Sequence, residues 1–120
     1  MPKKLAKSFS HAFSGVHYMI TTQRNMCIHI IIGIIVAALS ILLGLSLIEY
    51  ALVVFAIFLV LIVEMLNTSI EEAINLLYKK HNLHAKLAKD ISAAATLFAG
   101  ICAIIVGCLV LIPKLIILFR

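Results

Sequence analysis

Five polar residues, Glu64, Asn67, Thr68, Glu71 and Asn75, follow the apolar run ALVVFAIFLVLIV of residues 51–63 and recur at i, i+3, i+4, i+7 and i+11. At helical periodicity this spacing puts all five on one face, while Met65, Leu66, Ile70, Ala73, Ile74 and Leu77 cover much of the rest. Carboxylates in such a stripe can take a proton as a general base, hold a hard cation, or couple protons to transport. Glu64 comes directly after the apolar run, where an ionised group is costly unless it is paired, hydrated or protonated. Glu71 stands two turns further on, about 10 Å along the axis. That separation lets one acid work on a lipid headgroup while the other holds a metal ion on a phosphate. Asn67 and Thr68 also suit hydrogen bonds between helices, and Glu72, one residue off the stripe, suits a solvated or interfacial charge.

The elements that position the stripe follow from composition. The chain has 120 residues, 64% of them hydrophobic and 12% charged, with a mean hydropathy of +1.20, which excludes an ordinary soluble domain. Three apolar segments reach the roughly 20 residues needed to cross a bilayer. The spacing predicts an all-α membrane protein forming a single domain over residues 1–120, with spans at about 26–47, 50–77 and 91–112. The second overshoots the hydrocarbon, so its polar end emerges into the aqueous interface. Before the first span, Leu5, Phe9, Ala12, Phe13, Val16 and Ile20 recur at helical spacing, predicting an amphipathic surface helix over about 3–23. The basic N-terminal segment lacks the short apolar core and cleavage site of a removable leader, so the first span is expected to be retained. LSLIEY (45–50) is read as a tight link between antiparallel spans, and Pro113 as the end of the third.

Lys3, Lys4, Lys7 and Arg24 precede the first span, and Lys79, Lys80, Lys86 and Lys89 lie between the second and third. Only Lys114 and Arg120 lie on the other side, so the N-terminus and the second loop are expected to face the cytoplasm, and the acids with them. The net charge of +5 flanks the spans and is not interleaved with exposed aromatics, so it is read as topology, with no nucleic-acid partner. Cys27, Cys102 and Cys108 have no metal-ligand spacing and read as small apolar residues. His29 reads as a satisfied polar residue in a span. Ala95, Ala99, Ala103 and Gly107 form a small-residue stripe suited to close helix approach and assembly. No P-loop is present. On the residues alone, phosphoryl transfer to a lipid and an oligomeric proton- or cation-coupled transporter both stay open.

The string E-x-x-N-[ST]-x-I-E at Glu64, Asn67, Thr68, Ile70 and Glu71, followed by Ala88-Lys89-Asp90, resembles the small prokaryotic integral-membrane diacylglycerol and undecaprenol kinases. KSFSHAFSG, QRNMCIH, SLIEY and VLIPKL extend the likeness over nearly the whole chain and look like the shorter Gram-positive branch. The resemblance implies a homotrimeric bundle in the bacterial cytoplasmic membrane that transfers the γ-phosphate of ATP, with Mg²⁺, to the hydroxyl of undecaprenol or diacylglycerol. By the same resemblance Glu64 is the catalytic base and Asn67 its polar neighbour, and Glu71 holds the metal. Lys89, Asp90, Lys80, His81, Asn82, Lys4 and His11 border the nucleotide. Arg24 and Asn25 are expected at the membrane interface or the lipid headgroup. Gln23 and Asn75 stand where many members carry Glu and Asp, which lowers the negative charge at the metal end. A neutral amide at Gln23 can still coordinate a hard cation, more weakly, and these two changes also keep open an inactive assembly subunit of the same family.

Overall fold

In a computed structural model describing residues 1–120, the chain forms four helices and no strand: α1 (Pro2–Thr22), α2 (Arg24–Leu43), α3 (Leu47–Leu77) and α4 (Leu83–Leu118). α2, α3 and α4 are each long and apolar enough to cross a membrane. Pro2 opens α1, where its missing N–H costs nothing. A single extended residue, Gln23, separates α1 from α2.

The ends of the helices have local causes. α2 stops at Leu43, short of the expected 47, because Gly44 takes the left-handed conformation that closes a helix (φ 65°). Ser46 then starts α3: its hydroxyl accepts from the Glu49 N–H at 3.2 Å, and the Glu49 carboxylate accepts from the Ser46 N–H at 3.2 Å. This reciprocal cap satisfies two orphan donors and makes most of the LSLIEY link the first turn of α3. α4 begins at Leu83, well ahead of 91, because the Asn82 side chain accepts from the N–H groups of His84 (2.9 Å) and Ala85 (3.1 Å). Pro113 lies inside α4 and does not end it. Proline removes one backbone donor and crowds the preceding turn. Burial of Val110 and Leu111 before it, and the contact of Lys114 with Glu49 at 3.6 Å after it, hold the helix on either side.

α3 and α4 form the largest interface and run antiparallel. Lys89 donates to Asn75 at 2.6 Å near one end, and Lys114 meets Glu49 near the other. The two contacts are separated by nearly equal stretches of both helices, about 38 Å, so the register does not slip. Leu45, Val53, Val110 and Leu111 form one buried apolar cluster, with Val36, Leu39, Tyr50 and Ile57 packed against it, at the Glu49 end of the bundle, while Met19, Met26, Ala56 and Ala99 are buried elsewhere along it. There the Tyr50 hydroxyl donates to the Ser40 carbonyl at 3.0 Å. α2 meets α3 at Gly33, where an added Cβ would lie 3.0 Å from Ile57 Cγ2. In the small-residue stripe Ala99 is buried and Ala103 and Gly107 are half-buried within this chain, whereas Ala95 is exposed. Part of that stripe therefore packs inside the bundle. Ile34, Phe55, Phe98 and Ile104 point outward, a surface that matches hydrocarbon and not water.

Candidate functional site

The polar stripe of α3 turns into the bundle on its deeper half. Glu64 and Thr68 are 5% and 4% exposed, whereas Asn67 and Glu71 are half-buried and Asn75 is exposed. Along that one helical face the five residues thus differ in burial, the deeper acid at Glu64 being the more enclosed. Opposite Glu64, on α2, His29 Nε2 lies 3.9 Å from Glu64 Oε2, its side chain 33% exposed against 7% for the glutamate. His29, expected as a satisfied polar residue in a span, has this carboxylate as its neighbour. The overlooked signal was a titratable side chain within a span, which ordinarily marks function in its own right.

One turn along, Asn67 donates its amide to Glu71 Oε1 at 3.3 Å, leaving the other carboxylate oxygen of Glu71 without a hydrogen bond. Asn67 Oδ1 and Thr68 Oγ1 are buried with no partner. Buried polar atoms are nearly always satisfied, so two orphans on adjacent residues describe a place prepared for a polar group. No set of three His, Cys, Asp or Glu side chains gathers to hold a metal by protein ligands alone. The free, half-buried oxygen of Glu71 nevertheless fits Mg²⁺, which takes one or two carboxylates and completes its shell with phosphate and water oxygens.

Beyond Glu71 the loop and the start of α4 shape a groove of about 200 Å³ lined by Ile74, Tyr78, Lys80, His81, Asn82 and Lys89, together with Lys86 and Asp90. The cations there differ in what they face. Lys86 is paired with Asp90 at 2.6 Å, whereas Lys89 is held at 2.6 Å by the neutral amide oxygen of Asn75 and keeps its charge uncompensated. Asn82 lines the groove with its side-chain oxygen already engaged in capping α4. The structure thus brings together Lys80, His81, Asn82, Lys89 and Asp90 as one surface.

The residues expected from the N-terminal half are not drawn into that surface within one chain. Lys4 and His11 are exposed on α1, and Arg24 and Asn25 are exposed at the start of α2. Gln23 sits at the α1–α2 break, with its amide donating to Thr22 Oγ1 at 3.4 Å and no hydrogen bond to Glu71. α1 does reach α3 through Tyr18, whose hydroxyl donates to Glu72 at 3.3 Å. Glu72 is therefore a tether for α1, a role invisible in the helical spacing because its partner lies far away in sequence.

A buried carboxylate next to a histidine, orphaned acceptors one turn away and a basic groove beyond them define a small polytopic membrane protein equipped for charge chemistry at one end of its bundle. The chain belongs to the prokaryotic diacylglycerol kinase family, whose model matches residues 10–111. It is similar to a diacylglycerol kinase of Synechocystis sp. (strain PCC 6803), 42% identical over 113 residues that make up 92% of this chain and 64% of that protein. It is also similar to an undecaprenol kinase of Bacillus subtilis (strain 168), 36% identical over 109 residues, 91% of this chain and 89% of that protein. The family expected from the Glu64 to Glu71 string and the Ala88-Lys89-Asp90 triplet is the family found.

Proposed function

We propose that this protein is an ATP- and Mg²⁺-dependent kinase that phosphorylates the hydroxyl of a membrane lipid, undecaprenol or diacylglycerol, at the cytoplasmic face of the bacterial cell membrane. The observation that carries the reading is the division of the α3 stripe by depth: a buried carboxylate at Glu64 and a half-free carboxylate at Glu71, about 10 Å apart, with the Lys80–Lys89 groove beyond. A polyprenol or a diacylglycerol carries an apolar body beside one hydroxyl, so it can lie along the exposed apolar faces of the bundle and present its oxygen at the depth of Glu64. Family membership and the named relatives support the same chemistry.

In this mechanism Glu64 takes the proton of the lipid hydroxyl. Asn67 Oδ1 and Thr68 Oγ1 receive the polar headgroup or its water, and Asn67 at the same time fixes the orientation of Glu71. Lys89 and Lys80 attract the nucleotide phosphates, and Asn82 keeps the head of α4 in place beneath them. Glu71 would hold Mg²⁺ through its free oxygen, with the amide oxygen of Gln23 as a weaker second ligand. When bound, the ion would neutralise phosphate charge and polarise the transferred group. Arg24 and Asn25, exposed at the start of α2, meet lipid headgroups. Lys4 and His11 approach the nucleotide from α1, which lies in the interface on the apolar face formed by Leu5, Phe9, Phe13 and Val16. The assembly is a homotrimer of single-domain chains, consistent with only 13 of 120 residues being buried in one copy.

The test is transfer of labelled γ-phosphate from ATP to undecaprenol and to diacylglycerol, side by side in mixed micelles. Glu64→Gln is expected to lose about 10²- to 10⁴-fold in rate, the usual contribution of a general base, while assembling normally. Full activity in that variant sinks the base assignment, and wild-type protein that transfers to neither lipid sinks the kinase reading.

A further inference from the structure

We infer that His29 is a positioning residue for the transfer reaction, acting through Glu64: it receives the proton that Glu64 takes from the lipid hydroxyl and hands it to water. The inference rests on the lipid-kinase reading above, and its observations are separate from those behind it. Glu64 is nearly closed to solvent and makes no hydrogen bond within the chain, and His29 Nε2 is the one basic atom within ion-pair distance, at 3.9 Å. The imidazole lies with Nε2 toward the buried acid and with a third of its side-chain surface not covered by this chain.

The other titratable groups around the seam are engaged or turned away. On α3, Glu71 is held by Asn67, and Glu72 accepts from Tyr18 of α1. On α1, His17 and the N-terminal lysines are exposed. On α2, the Cys27 thiol donates to the Ile20 carbonyl at 3.0 Å, and Arg24 is exposed. On α4, the only titratable residues between Asp90 and Lys114 are Cys102 and Cys108, both exposed. The α3–α4 register instead brings Gly100 level with Glu64. A proton taken up by Glu64 thus has one side chain to leave by.

The step balances as follows. The lipid oxygen forms a bond to the γ-phosphorus as its proton passes to Glu64. The bond from that phosphorus to the β,γ-bridging oxygen breaks, and its electron pair leaves with ADP. Glu64 then gives the proton to Nε2 of neutral His29, and the imidazolium releases the proton on its other nitrogen, Nδ1, to water. A separation of 3.9 Å is longer than a hydrogen bond, and a shift of about 1 Å or one bridging water closes it. An imidazole suits the role because one ring nitrogen can accept a proton while the other releases one.

His29→Asn and His29→Gln, measured in micelles beside wild type, test the inference. The expected result is a kcat lowered about 10- to 100-fold, part of a general-base contribution, with KM for ATP and lipid unchanged. The dependence of kcat on pH should also flatten. A purely structural role would not flatten that profile. Either variant suffices, so a failure of one to assemble leaves the other to decide. A second readout needs no turnover: in protein labelled with ¹⁵N-histidine, Glu64→Gln should shift the Nε2 resonance of His29. Wild-type kcat and pH profile in the variants, or a His29 resonance blind to Glu64→Gln, overturns the inference. Wild-type protein that phosphorylates no lipid overturns the kinase reading, and the resonance measurement still reports on the pair.

Discussion

Replacing Thr68 with valine separates what the α3 stripe does for stability from what it does for function. Thr68 is 4% exposed and its Oγ1 has no hydrogen-bond partner, so the folded protein bears the cost of a desolvated hydroxyl. Valine has nearly the same shape without that group. Removing an unsatisfied buried polar atom recovers about 1–3 kcal/mol. At roughly 4 °C per kcal/mol for a chain of this size, Thr68→Val is expected to melt about 4–12 °C above wild type in micelles. The same substitution removes an acceptor offered to the lipid headgroup, so KM for the lipid should rise several-fold while KM for ATP holds. Circular dichroism during heating gives the first quantity and initial rates against lipid concentration give the second. A variant that melts below wild type shows that the hydroxyl is partnered in the folded protein and refutes the reasoning. A more stable variant with unchanged lipid KM confines the orphan to a structural defect with no part in binding.

Substitutions at two further positions probe the contacts between helices. Asn75→Asp places an anion 2.6 Å from the Lys89 ammonium, where a neutral amide now holds it. At about 1 kcal/mol for a newly compensated exposed charge, KM for ATP should rise about fivefold, read from rates against ATP concentration. An unchanged KM would show that Lys89 does not meet the phosphates. Gly33→Ala puts a Cβ 3.0 Å from Ile57 Cγ2 and Gly33→Leu overfills the α2–α3 seam. Thermal unfolding should show a loss of about 3 kcal/mol for Gly33→Leu and a much smaller change for Gly33→Ala, whose crowding is offset by about 1 kcal/mol of helix propensity, and equal stability in Gly33→Leu would show that α2 can stand off from α3.

The three spans were legible because their apolar runs have the length a bilayer demands. The α3 stripe was legible because its spacing is that of a helix. Helix ends were less so. Gly44 as a stop and Asn82 as a start both rely on the conformation of one residue, and the long basic stretch before Asp90 concealed an early first turn of α4. Pro113 misled because proline's effect was weighed without the packing of Val110, Leu111 and Lys114 around it. Within the site, residues on one helix could be related by arithmetic. His29 with Glu64, Tyr18 with Glu72 and Lys89 with Asn75 could not, because each joins two helices whose register no local pattern encodes.

The paired fastenings of α3 and α4 also determine how the bundle answers to the thickness of its bilayer. Tied at Lys89–Asn75 and at Lys114–Glu49, the two long helices cannot slide along each other and must tilt as one body when the hydrocarbon thins or thickens. α2 is seated at both ends of its length, by Met26, 1% exposed, near the site and by Leu39 and Leu43 against the apolar cluster at the other end. A change in bilayer thickness is thus met by reorienting the packed spans together, which leaves His29 facing Glu64 across the α2–α3 seam.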